Sequence, residues 1–342
     1  MYLMSTTYGW NLGDDLIREG VYNLLGIKES ESIIWLNYSE VRANKYIPLQ
    51  IYSLINNFLN KSRMHSERQQ GCLPLWDLQN NFPSNVELVK NADGLIVAGT
   101  PAWFSISIIY KLCIKYKIPI YLVGVGQKQP NYAISILKKA MRLNLIYGAT
   151  VRDTEAQVFL NKCGIKAELF FEPAFHANYY KDLEKDIDLI FTPLLDKPYL
   201  KYYKELYNTL KEEISIISVH EPYEYVIAKR IFNKPIFFNS DYNAYKTLYS
   251  RCKQYIGGRS HGAIPIISMG GFANLICHKN KQKMAKIWES FAEKENIFST
   301  IKSYNYDEIS LIKLMDSFNS KDMLKLLSDD FNSHQQYWKE II

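Results

Sequence analysis

The chain has 342 residues, 47% hydrophobic and 22% charged, which is the composition of an ordinary folded protein and enough length for two cores. Its net charge of +6 comes from 41 Lys and Arg against 35 Asp and Glu spread along the sequence, so no basic block marks a nucleic-acid arm. Five scattered cysteines without a C-x-x-C pair argue against a disulfide framework and a structural zinc and for a reducing, cytoplasmic setting, and without a leader pattern or a long apolar run neither a signal peptide nor a transmembrane helix is expected.

The elements follow in chain order. Tyr2 to Thr7 has the pattern of a strand, Asn11 to Asp15 that of a turn, and Leu16, Ile17, Val21, Leu24 and Leu25 recur at helical spacing up to Gly26. Ile33 to Leu36 is a second strand, 40–65 is helical or irregular, and 66–85 is a polar loop. Val86 to Ala92, Ser107 to Tyr116, Tyr132 to Asn144 and Thr154 to Cys163 are expected helices. Between them lie apolar strands at Gly94 to Ala98, Pro119 to Gly124, a strand end at Thr150 to Arg152, and Ala167 to Phe171. Near-continuous apolar strands alternating with helices imply a parallel sheet with right-handed crossovers.

A second series starts after a linker at 176–187, with strands expected at Leu189 to Phe191, Ile214 to Val219, Pro235 to Phe238, Gln254 to Gly257 and Asn274 to Cys277. The expected fold is therefore α/β: two doubly wound Rossmann-like domains facing each other across a cleft. The N-terminal domain takes 1–176 and the C-terminal domain 177–306, and a helical tail at 307–342, carrying Trp338, packs back on the first domain. Ligands in such sheets bind at the carboxyl ends of the strands.

Four segments fall at such ends. Asn11, Gly13 and Asp14 suit either a capped helix start or substrate contacts. Arg152 suits a bidentate clamp for phosphate or carboxylate, with Asp153 as cap of the next helix. Glu172, in Phe171-Glu172-Pro173-Ala174-Phe175, either lines the cleft or hydrogen-bonds the hinge. The segment Gly257-Gly258-Arg259-Ser260-His261-Gly262 combines three features at one loop: glycines that let backbone amides approach an anion, a permanent positive charge, and an imidazole that titrates near neutrality. His220-Glu221-Pro222 lies at another strand end, and the remaining histidines lack neighbours at metal-ligand spacing, so no metal is expected. The 26 tyrosines and 16 phenylalanines are compatible with a sugar-stacking cleft, and the mild positive charge with an anionic small substrate or acidic lipid headgroups.

The segments N-L-G-D (Asn11 to Asp14), V-R-D (Val151 to Asp153), E-P-A-F (Glu172 to Phe175) and G-R-S-H-G (Gly258 to Gly262), in this order, resemble the polysaccharide pyruvyl transferase family. The resemblance implies a GT-B-like transferase of polysaccharide biosynthesis that moves the pyruvate group of phosphoenolpyruvate onto a sugar as a ketal. It implies Arg152, Gly258, Arg259, Ser260, His261 and Gly262 at the donor, and His261 as acid/base with Arg152 and Arg259 beside it. Asn11, Asp14 and Glu172 fall on the acceptor side. The implied partners are the donor and a sugar or glycan acceptor, without nucleic acid, resident cofactor or metal, and with membrane contact only at the surface. The alternatives are a GT-B-type glycosyltransferase using a nucleotide sugar, or a non-catalytic relative that binds sugars or anions.

Overall fold

The computed structural model describes residues 1–4, 12–34, 83–99, 103–126, 131–196, 198–220, 222–239, 241–277, 301–305, 308, 312, 314–315 and 320–342. The expectations for Asn11, for 40–65 and for most of 66–85 fall outside these residues. The chain divides into two compact units, one made of Met1–Pro173 with Asn332–Ile342, the other of Ala174–Phe331.

The first unit carries strands β1 (Tyr2–Met4), β2 (Ser32–Ile34), β3 (Gly94–Ala98), β4 (Ile120–Val125), β5 (Ile146–Val151) and β6 (Glu168–Leu169). They form one parallel sheet in the order β2-β1-β3-β4-β5-β6. Every residue of β3 and β4 is buried, as strands covered on both faces require. Helices α1 (Leu12–Leu25), α2 (Pro83–Lys90), α3 (Trp103–Tyr116), α4 (Asn131–Arg142) and α5 (Thr154–Lys162) supply the crossovers.

Helix α1 starts four residues before the expected Leu16, so Gly13 and Asp14 belong to its first turn and not to a loop. Two causes act together. Leu12 already lies on the buried stripe with Leu16, Ile17, Val21 and Leu24, and the carboxylates of Asp14 and Asp15 complement the positive end of the helix dipole. Gly26 closes the helix in the left-handed conformation, φ +67°.

The second unit carries β7 (Ile187–Thr192), β8 (Ile216–Ser218), β9 (Ile236–Phe237), β10 (Cys252–Gly257), β11 (Phe272–Cys277) and β12 (Ile301–Asn305). Its parallel sheet has the order β12-β11-β10-β7-β8-β9. Successive strands run outward from β7 in one direction and from β10 in the other, so the strand order reverses between β7 and β10. Helices α6 (Leu200–Leu210), α7 (Pro222–Ile231), α8 (Tyr242–Ser250) and α9 (Ser260–Ser268) connect them. Strand β12 gave no signal in the sequence: Ile-Lys-Ser-Tyr-Asn at a sheet edge need not be continuously apolar.

The tail helix, α10 (Lys321–Lys339), is shared between the units, the division falling at Phe331/Asn332. In the first unit Trp338 is 1% exposed and lies against Gly148, where an added Cβ would sit 2.7 Å from the indole. The Tyr337 hydroxyl accepts from the Ala149 N–H and donates to the Ala149 carbonyl, at 3.0 and 3.2 Å. Cys113, Cys163 and Cys252 are buried and free, and burial pushes the Cys252 thiol up to about 12.

Candidate functional site

The sequence candidates settle into two charged clusters, one in each unit. In the first, Arg152 follows the last residue of β5 and is held by its own backbone, whose N–H donates to the Val125 carbonyl at 3.2 Å. Its side chain lies across Gly126, where a Cβ would come within 2.1 Å of Nε, so only glycine leaves room for the guanidinium. Asp153 caps α5 by accepting from the Ala156 N–H at 2.7 Å, as the sequence indicates.

Arg152 donates from Nη1 to the Glu172 carboxylate in a pair that is almost wholly buried. Burial pulls the guanidinium down to about 10, against the opposing pull of the Asp153 and Asp14 carboxylates, so it stays charged at neutral pH. Positions 14, 152, 153 and 172, far apart in sequence, thus share one electrostatic environment. Glu172 is 1% exposed and turned onto Arg152. Arg152, expected as an open clamp, arrives with carboxylates on several sides, which weakens its pull on an anion. Asp14 is partly exposed, in the first turn of α1.

The second cluster lies at the reversal point of the second sheet, where β10 gives way to α9. Gly257 pairs with Thr192 of β7, and a Cβ there would meet the Thr192 carbonyl oxygen at 2.4 Å. A Cβ on Gly258 would meet the Tyr203 hydroxyl at 2.1 Å. The two glycines are thus required by close approach of the chain to β7 and α6. Arg259 is the N-cap residue of α9, and its carbonyl accepts from the Tyr255 hydroxyl at 2.6 Å. Gly262 is buried against the same tyrosine ring. Ser260 and His261, partly exposed, form the first turn of α9 at the positive end of its dipole.

A buried polar chain stands behind this loop. Arg259 donates from Nη2 to Glu224, a fully buried residue in the first turn of α7. The other Glu224 oxygen accepts from the His220 backbone N–H at 3.1 Å. The His220 ring is 2.7 Å from the Tyr249 hydroxyl, itself 2.9 Å from Ser218 Oγ. Burial, with the nearby charges of Arg259 and His261, pushes the His220 imidazole well below the usual histidine range, so it is neutral. Burial also pushes the Tyr249 phenol above its ordinary range.

Among the candidates, Arg259, Ser260, His261, Gly258 and Gly262 come together, and Arg152, Glu172 and Asp14 form the other group. Glu224, Tyr249 and Gly126 went unnoticed in the sequence. The available signal was positional: His220 lies two residues past the end of β8, and Glu224 is an acidic residue in the first turn of the helix that follows.

Solved structures with the same architecture include S. aureus MnaA with UDP, 10% identical, TM-score 0.58, over 100% of this chain and 97% of that one. A UDP-N-acetylglucosamine 2-epimerase is 13% identical with TM-score 0.55 over 99% and 94% of the two chains. The Methanocaldococcus jannaschii UDP-GlcNAc 2-epimerase in complex with UDP-GlcNAc and UDP is 12% identical, TM-score 0.53, over 97% and 93%. At such identities the likeness shows the fold alone: a GT-B-like pair of doubly wound α/β units. No curated protein matches by sequence. The polysaccharide pyruvyl transferase family matches residues 11–270, and the chain belongs to that family of transferases. The match spans every residue of both charged clusters.

Proposed function

We propose that the chain takes the pyruvate group from phosphoenolpyruvate and places it on a sugar as a ketal, with the β10–α9 loop as the donor site. One observation carries this: a guanidinium at the N-cap and an imidazole in the first turn of one helix stand at the reversal point of a parallel sheet, next to two close-packed glycines. Backbone N–H groups and the dipole there favour an anion. Arg259, 21% exposed at its side chain, takes the phosphate or carboxylate of the donor. Arg152, largely compensated by Glu172, Asp153 and Asp14, has the lesser part, and Asp14 is assigned to the acceptor.

The chemistry balances without a resident cofactor. His261 gives a proton to C3 of the enol while a sugar hydroxyl adds to C2, and the neutral imidazole then takes that hydroxyl's proton. The bond from C2 to the phosphate oxygen breaks, phosphate leaves with the electron pair, and it takes the proton of the second hydroxyl as that oxygen bonds C2 and closes the ketal ring. Acid/base help of this kind is worth about a hundred- to ten-thousandfold in rate. His261→Ala should lose that factor with donor affinity retained. The measurement is phosphate release and product mass with phosphoenolpyruvate and a panel of sugars. Wild-type turnover in His261→Ala would remove the histidine from the scheme.

The UDP bound in two of the structural relatives favours a second reading, a nucleotide-sugar donor on the same loop. Thermal shift separates the two: a ligand at about a hundred times its Kd stabilises by about 2.7 kcal/mol. Stabilisation by phosphoenolpyruvate and not by UDP-sugars is expected; the reverse result replaces the first reading with the second.

A further inference from the structure

We propose that Glu224 is a positioning residue for donor recognition, holding the Arg259 guanidinium in its binding posture through a carboxylate that the His220 backbone fixes in turn. The inference rests on the assignment of Arg259 to the donor. Arginine is a long side chain with several free torsions, and an arginine at a partly exposed loop must be held to be ready for an anion. Here the holder is a fully buried glutamate in the first turn of α7, and it is itself doubly engaged.

Each Glu224 oxygen meets a donor: Nη2 of Arg259 on one and the backbone N–H of His220 on the other. Only a carboxylate offers two acceptor oxygens. A glutamine offers one oxygen and one NH2, so one of the two contacts becomes donor against donor. The pair also ties the loop after β8 to the loop after β10, the two strands on either side of β7. The consequence extends past one side chain, because Glu224 fixes both loops at the sheet's reversal point.

Charge and order predict opposite signs. A negative charge beside Arg259 opposes an incoming anion, so by Coulomb's law alone its removal tightens donor binding. Positioning predicts that its removal loosens binding. Order wins here because the contact is direct and the carboxylate that makes it is fully buried, held in place by the His220 backbone.

The test is the Kd for phosphoenolpyruvate and the kcat at saturating donor in wild type, Glu224→Gln, Glu224→Asp, Arg259→Ala and the Arg259→Ala/Glu224→Gln double variant, each with its Tm. Glu224→Gln should weaken donor binding about tenfold or more, as loss of a charge-assisted contact does, with kcat within about threefold. Glu224→Asp should recover part of the affinity. The double variant should bind no more weakly than Arg259→Ala, because Glu224 acts through Arg259. Unchanged or tighter binding in Glu224→Gln, with Arg259→Ala weakened, overturns the proposal, as does a lower Tm with wild-type Kd. Wild-type affinity in Arg259→Ala instead overturns the donor assignment, and this inference falls with it.

Discussion

Both clusters are built on an arginine–glutamate pair, and the two pairs differ in what they leave open. In Arg152–Glu172 the side chains are 6% and 1% exposed; in Arg259–Glu224 they are 21% and 1%. The same chemistry therefore closes one arginine in and presents the other. Arg259 and His261 were legible in the sequence because they lie two positions apart directly after two glycines. Glu224 was not, because it is 35 positions from Arg259 and only the fold joins them. The neutral His220 behind the pair has a measurable consequence. Its proton affinity in the folded state is depressed, so the unfolded chain binds more protons as pH falls below about 6.5. The stability it contributes is full above that pH and is lost below it, by up to about 1.4 kcal/mol per pH unit. Denaturant unfolding between pH 7 and pH 5 should show a steeper loss in wild type than in His220→Asn. Equal slopes would mean that the imidazole takes up its proton without penalty.

At the scale of elements, periodicity located most helices and strands, and it failed where packing overrode it. Strand β3 falls on the expected Gly94 to Ala98 because all five residues are buried and apolar. Helix α1 ran past its expected start because Gly13, weak in a helix, was outvoted by Leu12 and two acidic neighbours. The β10–α9 junction shows why glycine pairs in such loops carry information. Their need comes from a neighbouring strand, which no local pattern displays, since a Cβ at 257 would strike a backbone carbonyl 2.4 Å away. A backbone atom inside a paired strand cannot step aside as a side-chain tip can. Gly257→Ala should therefore cost about 1–3 kcal/mol of stability and displace Arg259 enough to weaken donor binding. Thermal melts and donor titration read the two effects separately. An unchanged melt with intact donor affinity would show that β7 and β10 can part without consequence.

At the scale of the whole molecule, the chain passes from one unit to the other twice, at Pro173/Ala174 and at Phe331/Asn332. The second passage was visible in the sequence only as a helical tail that carries a tryptophan. What the tail does for the first unit depends on contacts far away in sequence, 184 positions for His334 to Thr150 and 188 for Tyr337 to Ala149. His334 lies 3.0 Å from Thr150 Oγ1 and stacks on Phe170 at 4.3 Å, Tyr337 engages both backbone groups of Ala149, and Trp338 fills the space that Gly148 leaves. All these partners but Phe170 lie on β5, the strand that leads directly into Arg152, so the tail buttresses the strand next to the first charged cluster. Trp338 is the largest of these side chains and is fully buried. Trp338→Ala should cost the first unit about 3–5 kcal/mol, the usual loss for emptying a buried aromatic site. Two units with separate cores need not melt together, so calorimetry should show one transition moved down and the other held. A single transition moving as a whole would mean that the units unfold cooperatively. An unmoved profile would mean that the tail is not part of the first core.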